Sequence, residues 1–180
     1  MFNQTESSQK VKELFSNYSP QRVKIVAEMI ENISDTYTLH HVSLHFDEVR
    51  HCQKGHFDIP QAIIINPVCD KGTGLLVFYQ LRGLIYLYEK GVPLSHTAQI
   101  SDKLVAKISK RHGYEYMRRE LLNVLFEMIR NDGFNSSKIP FAPPIGRVEK
   151  STMEKRFPNC PQVFLQPTPG ENIAFSRVLI

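Results

Sequence analysis

The chain has 180 residues, 42% of them hydrophobic and 22% charged, with a formal net charge of +4. That composition suits one compact domain over residues 1–180 and argues against general disorder. No apolar run reaches the ~18 residues of a membrane span, and the polar start MFNQTESSQK lacks the form of a secretory signal. Cys52, Cys69 and Cys160 are odd in number and share no CxxC spacing, so they read as reduced thiols of a cytoplasmic protein.

In chain order the pattern predicts helices first and loops last. Val11 to Phe15 suggests a short opening helix. Ser19-Pro20 gives a cap and a proline at the first helical position, and Val23, Val26, Ile30 and Ile33 follow at helical spacing, with Met29 beside them. Asp35 caps a segment in which Leu39, Val42, Phe46 and Val49 share one face, read as a helix ending at Gly55. Asp58 and Pro60 open a short helix through Ile63, Ile64 and Ile65, which Asn66-Pro67 stops.

Asp70 caps the next helix, whose stretch Leu75 to Tyr88 is apolar nearly all round and is expected to be the buried centre, ended by Gly91 and Pro93. Ile100–Lys110 and Met117–Ile129 look amphipathic. Met117, Leu121, Val124, Leu125 and Met128 form the stripe of the second, which Asp132-Gly133 closes.

Seven of the eleven prolines follow Gly133. Residues 134–180 therefore read as an irregular tail with extended pieces near Gly146–Glu149, Gln162–Leu165 and Ile173–Phe175, and a short helix starting at the Ser151 capping box. Its apolar residues, among them Phe141, Phe157, Phe164 and Phe175, should lie back on the helical body of residues 1–133. The expected fold is mainly α, a compact multi-helix domain with a Pro-rich C-terminal segment. The joint Asn66-Pro67-Val68-Cys69-Asp70 leaves helical-repeat stacking as a lesser alternative.

Three groups of residues could carry chemistry. His40, His41, His45, His51 and His56 crowd one segment. On a continuous helix His41, His45, Glu48 and Cys52 form one stripe able to hold a metal ion, while His40, Asp47 and His51 face solvent. The same stripe also reads as a polar helix flank or a pH-sensitive surface. HExxH is absent, because Val-Ser-Leu separates His41 from His45.

Asp70-Lys71-Gly72-Thr73-Gly74 is only superficially a phosphate loop; its glycines read better as points of close packing. Cys69 beside a helix start is either a thiol of lowered pKa or a buried one.

Charge is uneven: residues 1–90 hold nine basic against ten acidic side chains, residues 91–180 thirteen against eight. The densest basic face comprises Lys103, Lys107, Lys110, Arg111, Arg118 and Arg119, with His112 beside it, suited to an acidic protein or to phosphates. Tyr114 and Tyr116 alone do not make a base-stacking platform. No GxSxG or other complete catalytic set occurs, and no cofactor is implied.

The stretch from His56 to Tyr79 resembles a bacterial domain family of unknown function. The match lies in Phe57, Ile59, Pro60, Ile63, Ile64, Pro67, Cys69, Asp70, Gly72, Thr73, Leu75, Phe78 and Tyr79. The chain departs from that pattern at Gly55-His56 and Arg82-Gly83, where Asp-Gly is usual. Such proteins resemble small cytosolic domains encoded beside polymorphic toxins. The resemblance thus implies a non-enzymatic immunity protein that binds and neutralises a cognate toxin, and offers no catalytic residues. On this reading the basic face predicts an acidic patch on the toxin. A metal-binding enzyme or sensor at His41, His45 and Glu48, and a nucleic-acid adaptor on the basic face, are the alternatives. No membrane partner is expected.

Overall fold

The computed structural model describes residues 3–52, 56–90, 113–171, 173–175 and 178. Among them are nine α-helices and no β-strand: α1 Gln4–Phe15, α2 Val23–Glu31, α3 Thr36–Leu44, α4 Glu48–His51, α5 Asp58–Ile65, α6 Lys71–Gln80, α7 Gly83–Lys90, α8 Gly113–Arg130 and α9 Arg147–Arg156. The predicted helix Ile100–Lys110, and the stops at Gly55, Gly91 and Pro93, lie outside the described residues.

Local chemistry sets most helix ends. The Asn3 carboxamide caps α1 by accepting the Thr5 and Glu6 amides, so this helix starts well before Val11. Asp35 caps α3 by accepting the Thr38 amide at 2.7 Å. Pro20 opens a single 3₁₀ turn that runs into α2, and Val23, Val26, Ile30 and Ile33 are buried as the spacing predicts.

The continuous helix expected through Phe46 and Val49 is two helices. Gln80 donates its side-chain amide to the carbonyls of Ser43 and Phe46, closing α3. Asp47 then starts α4 by accepting the Arg50 amide, while His51 Nδ1 accepts the amide of Asp47. This restart rotates the pattern: Leu39, Val42 and Phe46 stay in the core, but Val49 is 73% exposed.

The apolar run Leu75–Tyr88 also breaks. Arg82 adopts a left-handed conformation (φ 64°), and a side chain at Gly83 would overlap both the Phe78 ring and its carbonyl oxygen. The chain therefore turns between α6 and α7. α6 is the buried centre, whereas Ile85 on α7 is about half exposed.

α2 packs most extensively on α5, α1 on α3, and α6 on α3 and α8. Asn66, buried at the α5–α6 joint, donates its side-chain amide to the Ile30 and Ile33 carbonyls, both at 2.9 Å, tying that joint to the end of α2. α8 buries Leu121, Leu122, Leu125, Phe126 and Ile129. The expected stripe is thus rotated, with Met117 and Val124 exposed, because the core lies on the Leu122–Phe126 side.

The tail carries its own helix. Gly146 precedes α9, so Gly146–Glu149 is not extended and Ser151 sits inside the helix rather than capping it. Gln162–Phe164 is one 3₁₀ turn, and Ile173–Phe175 is irregular. The only backbone pairing of extended type among the described residues is Phe141 with Thr168. The tail does return to the body: Ile139, Met153, Phe164 and Leu165 are buried, and the Phe164 ring stacks on Phe126 at 4.9 Å.

Candidate functional site

Asp70 organises the joint between body and tail. Its carboxylate is fully buried and accepts four donors: the Gly72 amide, which it caps, the Ser136 hydroxyl, and the Lys138 and Ile139 amides. Gly72 lies against the Ile139 carbonyl and Gly74 against the Phe134 ring, so these glycines serve close packing. Cys69, beside this helix start, is buried, and burial with the neighbouring Asp70 charge pushes its thiol up to about 12. A thiol of lowered pKa is therefore excluded there. Cys52 and Cys160 are likewise buried and unpaired.

The histidine segment does not form the predicted stripe. α3 ends at Leu44 and α4 starts at Glu48, so His45 and Glu48 fall on either side of a break between two helices. The His41 ring is buried and shares a 2.7 Å hydrogen bond with Ser7 on α1. Glu48 points into the protein, where it accepts Arg82 Nε at 2.8 Å and the Tyr114 hydroxyl at 2.7 Å. Cys52 is fully buried and its thiol is raised by desolvation and by Glu48. Among the described residues no three His, Cys, Asp or Glu side chains are grouped so as to hold a metal ion.

His40 and His51, expected to face solvent, are in the core. His40 bonds Thr73 at 2.9 Å, and His51 stacks among Phe15, Tyr18 and Phe46. Burial lowers both to about 4. The break at His45–Asp47 puts them inward; Asp47 as a second helix cap was the legible signal of that break.

Of the basic face, Arg118 and Arg119 alone fall among the described residues. Lys103, Lys107, Lys110 and Arg111, with His112, lie outside the described residues. Arg118 is only 7% exposed; it pairs with Glu115 and stands 3.6 Å from Glu48. It is therefore an internal cation and not part of a docking surface. Arg119 is exposed but bonded to Glu89 at 2.7 Å.

A different surface presents itself between α2, α5 and α8. Ala27, Ile64, Ile65, Leu121 and Val124 floor a groove of about 670 Å³, rimmed by Lys24, Glu28, Glu31, Asp58 and Gln61. Ile65 is 64% and Val124 51% exposed. The groove forms because α2 packs along α5 while α8 turns its buried side toward α6. No sequence reading singled it out, since each helix contributes only one or two of its apolar residues.

Fold and groove together define a mainly helical domain in which, among the described residues, an apolar cleft is left partly open and no helix is long and apolar enough to cross a membrane. Residues 54–112 match a domain of unknown function, DUF4274. That segment contains α5, α6 and α7 and the Pro67–Thr73 stretch. Neither curated proteins nor solved structures return a match to the chain.

Proposed function

We propose that the chain is a non-enzymatic, cytoplasmic protein-binding domain: an immunity protein that binds and neutralises a cognate antibacterial toxin. The observation that carries the binding reading is the α2–α5–α8 groove, where Ile65 and Val124 stay open to solvent beside Ala27, Ile64 and Leu121 of the core. An uncovered apolar floor with a polar rim is the usual make-up of a protein-docking surface. The motif resemblance in residues 56–79 adds the toxin as partner. The docking face is thereby moved from Arg118 and Arg119 to the groove.

Co-expression with a toxin encoded next to its gene tests this. The wild-type chain should restore growth and co-purify with the toxin, and Ile65→Glu with Val124→Glu should abolish both. Growth that stays arrested under wild-type co-expression, with no complex recovered, overturns the proposal.

A further inference from the structure

We infer that the α2–α5–α8 groove takes the apolar face of a cationic amphipathic helix presented by the partner; this rests on the protein-binding reading above.

The argument starts from the rim. Glu28 and Glu31 lie one turn apart on α2, and Asp58 stands at the start of α5. Both glutamates are exposed, and no ion pair among the described residues involves either. The one ion pair of Asp58 among the described residues is with His56, at 3.7 Å. Among the described lining residues Lys24 is the single cation against three carboxylates. A rim of one sign around an apolar floor selects a partner with the opposite rim and a matching apolar stripe.

The floor points to a helix. Ala27, Ile64, Ile65, Leu121 and Val124 come from three helices and form a trough of about 670 Å³, with room for several side chains from one helix face. The described chain has no strand edge there to pair with an extended peptide. Nucleic acid is disfavoured, because its phosphates would meet three carboxylates. A symmetric pair of copies is disfavoured for the same reason, since a two-fold contact sets each acidic rim against itself.

Full-length protein and labelled synthetic peptides decide it, read by fluorescence anisotropy. One peptide carries Leu along one helix face and Lys along the other; its twin has Glu for every Lys. The Lys peptide should bind, and the Glu peptide at least ~10-fold more weakly. Val124→Glu and Ile65→Glu should each weaken the Lys peptide by ~10-fold or more, and Glu28→Gln with Glu31→Gln should weaken it and flatten its salt dependence. All four positions are exposed, and unchanged circular dichroism confirms that the variants are folded.

Equal binding of both peptides, or binding indifferent to these substitutions, overturns the inference. So does stronger binding by a peptide of residues 100–111 of this same chain, which would assign the groove to the protein's own segment. Self-association abolished by Val124→Glu would assign it to a second copy. Toxin neutralisation that survives Ile65→Glu with Val124→Glu, while Lys-peptide binding is lost, leaves this inference standing and refutes the groove as the toxin face. The reverse pattern refutes this inference alone.

Discussion

Asp70 Oδ2 accepts the backbone amide of Lys138 at 2.7 Å, joining positions 68 residues apart. The same carboxylate caps α6, so one buried side chain fixes a helix start and the course of the tail. Asp70→Asn presents an N–H group to donors that need an acceptor. It should cost about 3 kcal/mol of stability, because the amide keeps one accepting oxygen and leaves buried donors of the other unpaired. Urea unfolding followed by circular dichroism measures this; a loss under ~1 kcal/mol contradicts the role given to Asp70.

Gly72 and Gly74 should respond unequally to alanine. At Gly72 the new methyl meets the carbonyl of Ile139, a residue whose amide Asp70 holds in place. At Gly74 it meets the far edge of the Phe134 ring, which can swing away. Gly72→Ala should destabilise by roughly 2–3 kcal/mol and Gly74→Ala by distinctly less. Thermal melts of the two variants compare them directly, and the opposite order would refute the packing described.

Acid should weaken the fold through His40 and His51. Both are held at about 4 against an ordinary 6.5, chiefly by burial, with Arg50 adding to the effect on His51 and Asp47 opposing it. Above pH 6.5 each ring is neutral whether folded or not, so the full stability is present. Between pH 6.5 and 4 the unfolded chain takes up protons that the folded chain refuses, and stability falls. Each ring accounts for at most about 3 kcal/mol of that fall. His51→Phe keeps the ring among Phe15, Tyr18 and Phe46 and should flatten the loss between pH 7 and pH 4.5. An unchanged slope for this variant would remove His51 as a cause.

Glu48→Ala should be among the most damaging single changes outside the apolar core. It takes from the Arg118 guanidinium one of its two carboxylates, leaving Glu115, when its Nε and one terminal nitrogen already lack hydrogen-bond acceptors, and it removes partners of Arg82 and Tyr114. The expected loss is about 3 kcal/mol or more. Adding Arg118→Met should recover part of it, which a double-mutant cycle in urea would show. Strictly additive losses would mean that the two side chains are uncoupled.

The sequence was most readable where a short-range signal and the core agreed. Asp35, Asp70 and Asn66-Pro67 marked helix ends, and the 3–4 spacing of Val23, Val26 and Ile30 marked a buried face, because both depend on neighbours within a turn or two. The breaks at His45–Asp47 and Leu81–Arg82 were missed for a common reason. Apolar periodicity runs through both, and what interrupts it is distant: Gln80 closing α3, and the Phe78 ring requiring a glycine at 83. The groove was illegible for the opposite reason, since its floor is assembled from three helices whose separate patterns look ordinary.

The DUF4274 match contains α5, α6 and α7, yet the surfaces these helices cover are supplied from elsewhere: α2 for α5, α3 and α8 for α6, and α9 for α7. The described part of the matched stretch, residues 56–90, is thus a wedge cut from a larger core. Expressed by themselves, residues 56–90 would expose the faces that α2, α3, α8 and α9 cover. Any other protein built around the same stretch must provide equivalent flanking helices, or borrow them from a second chain.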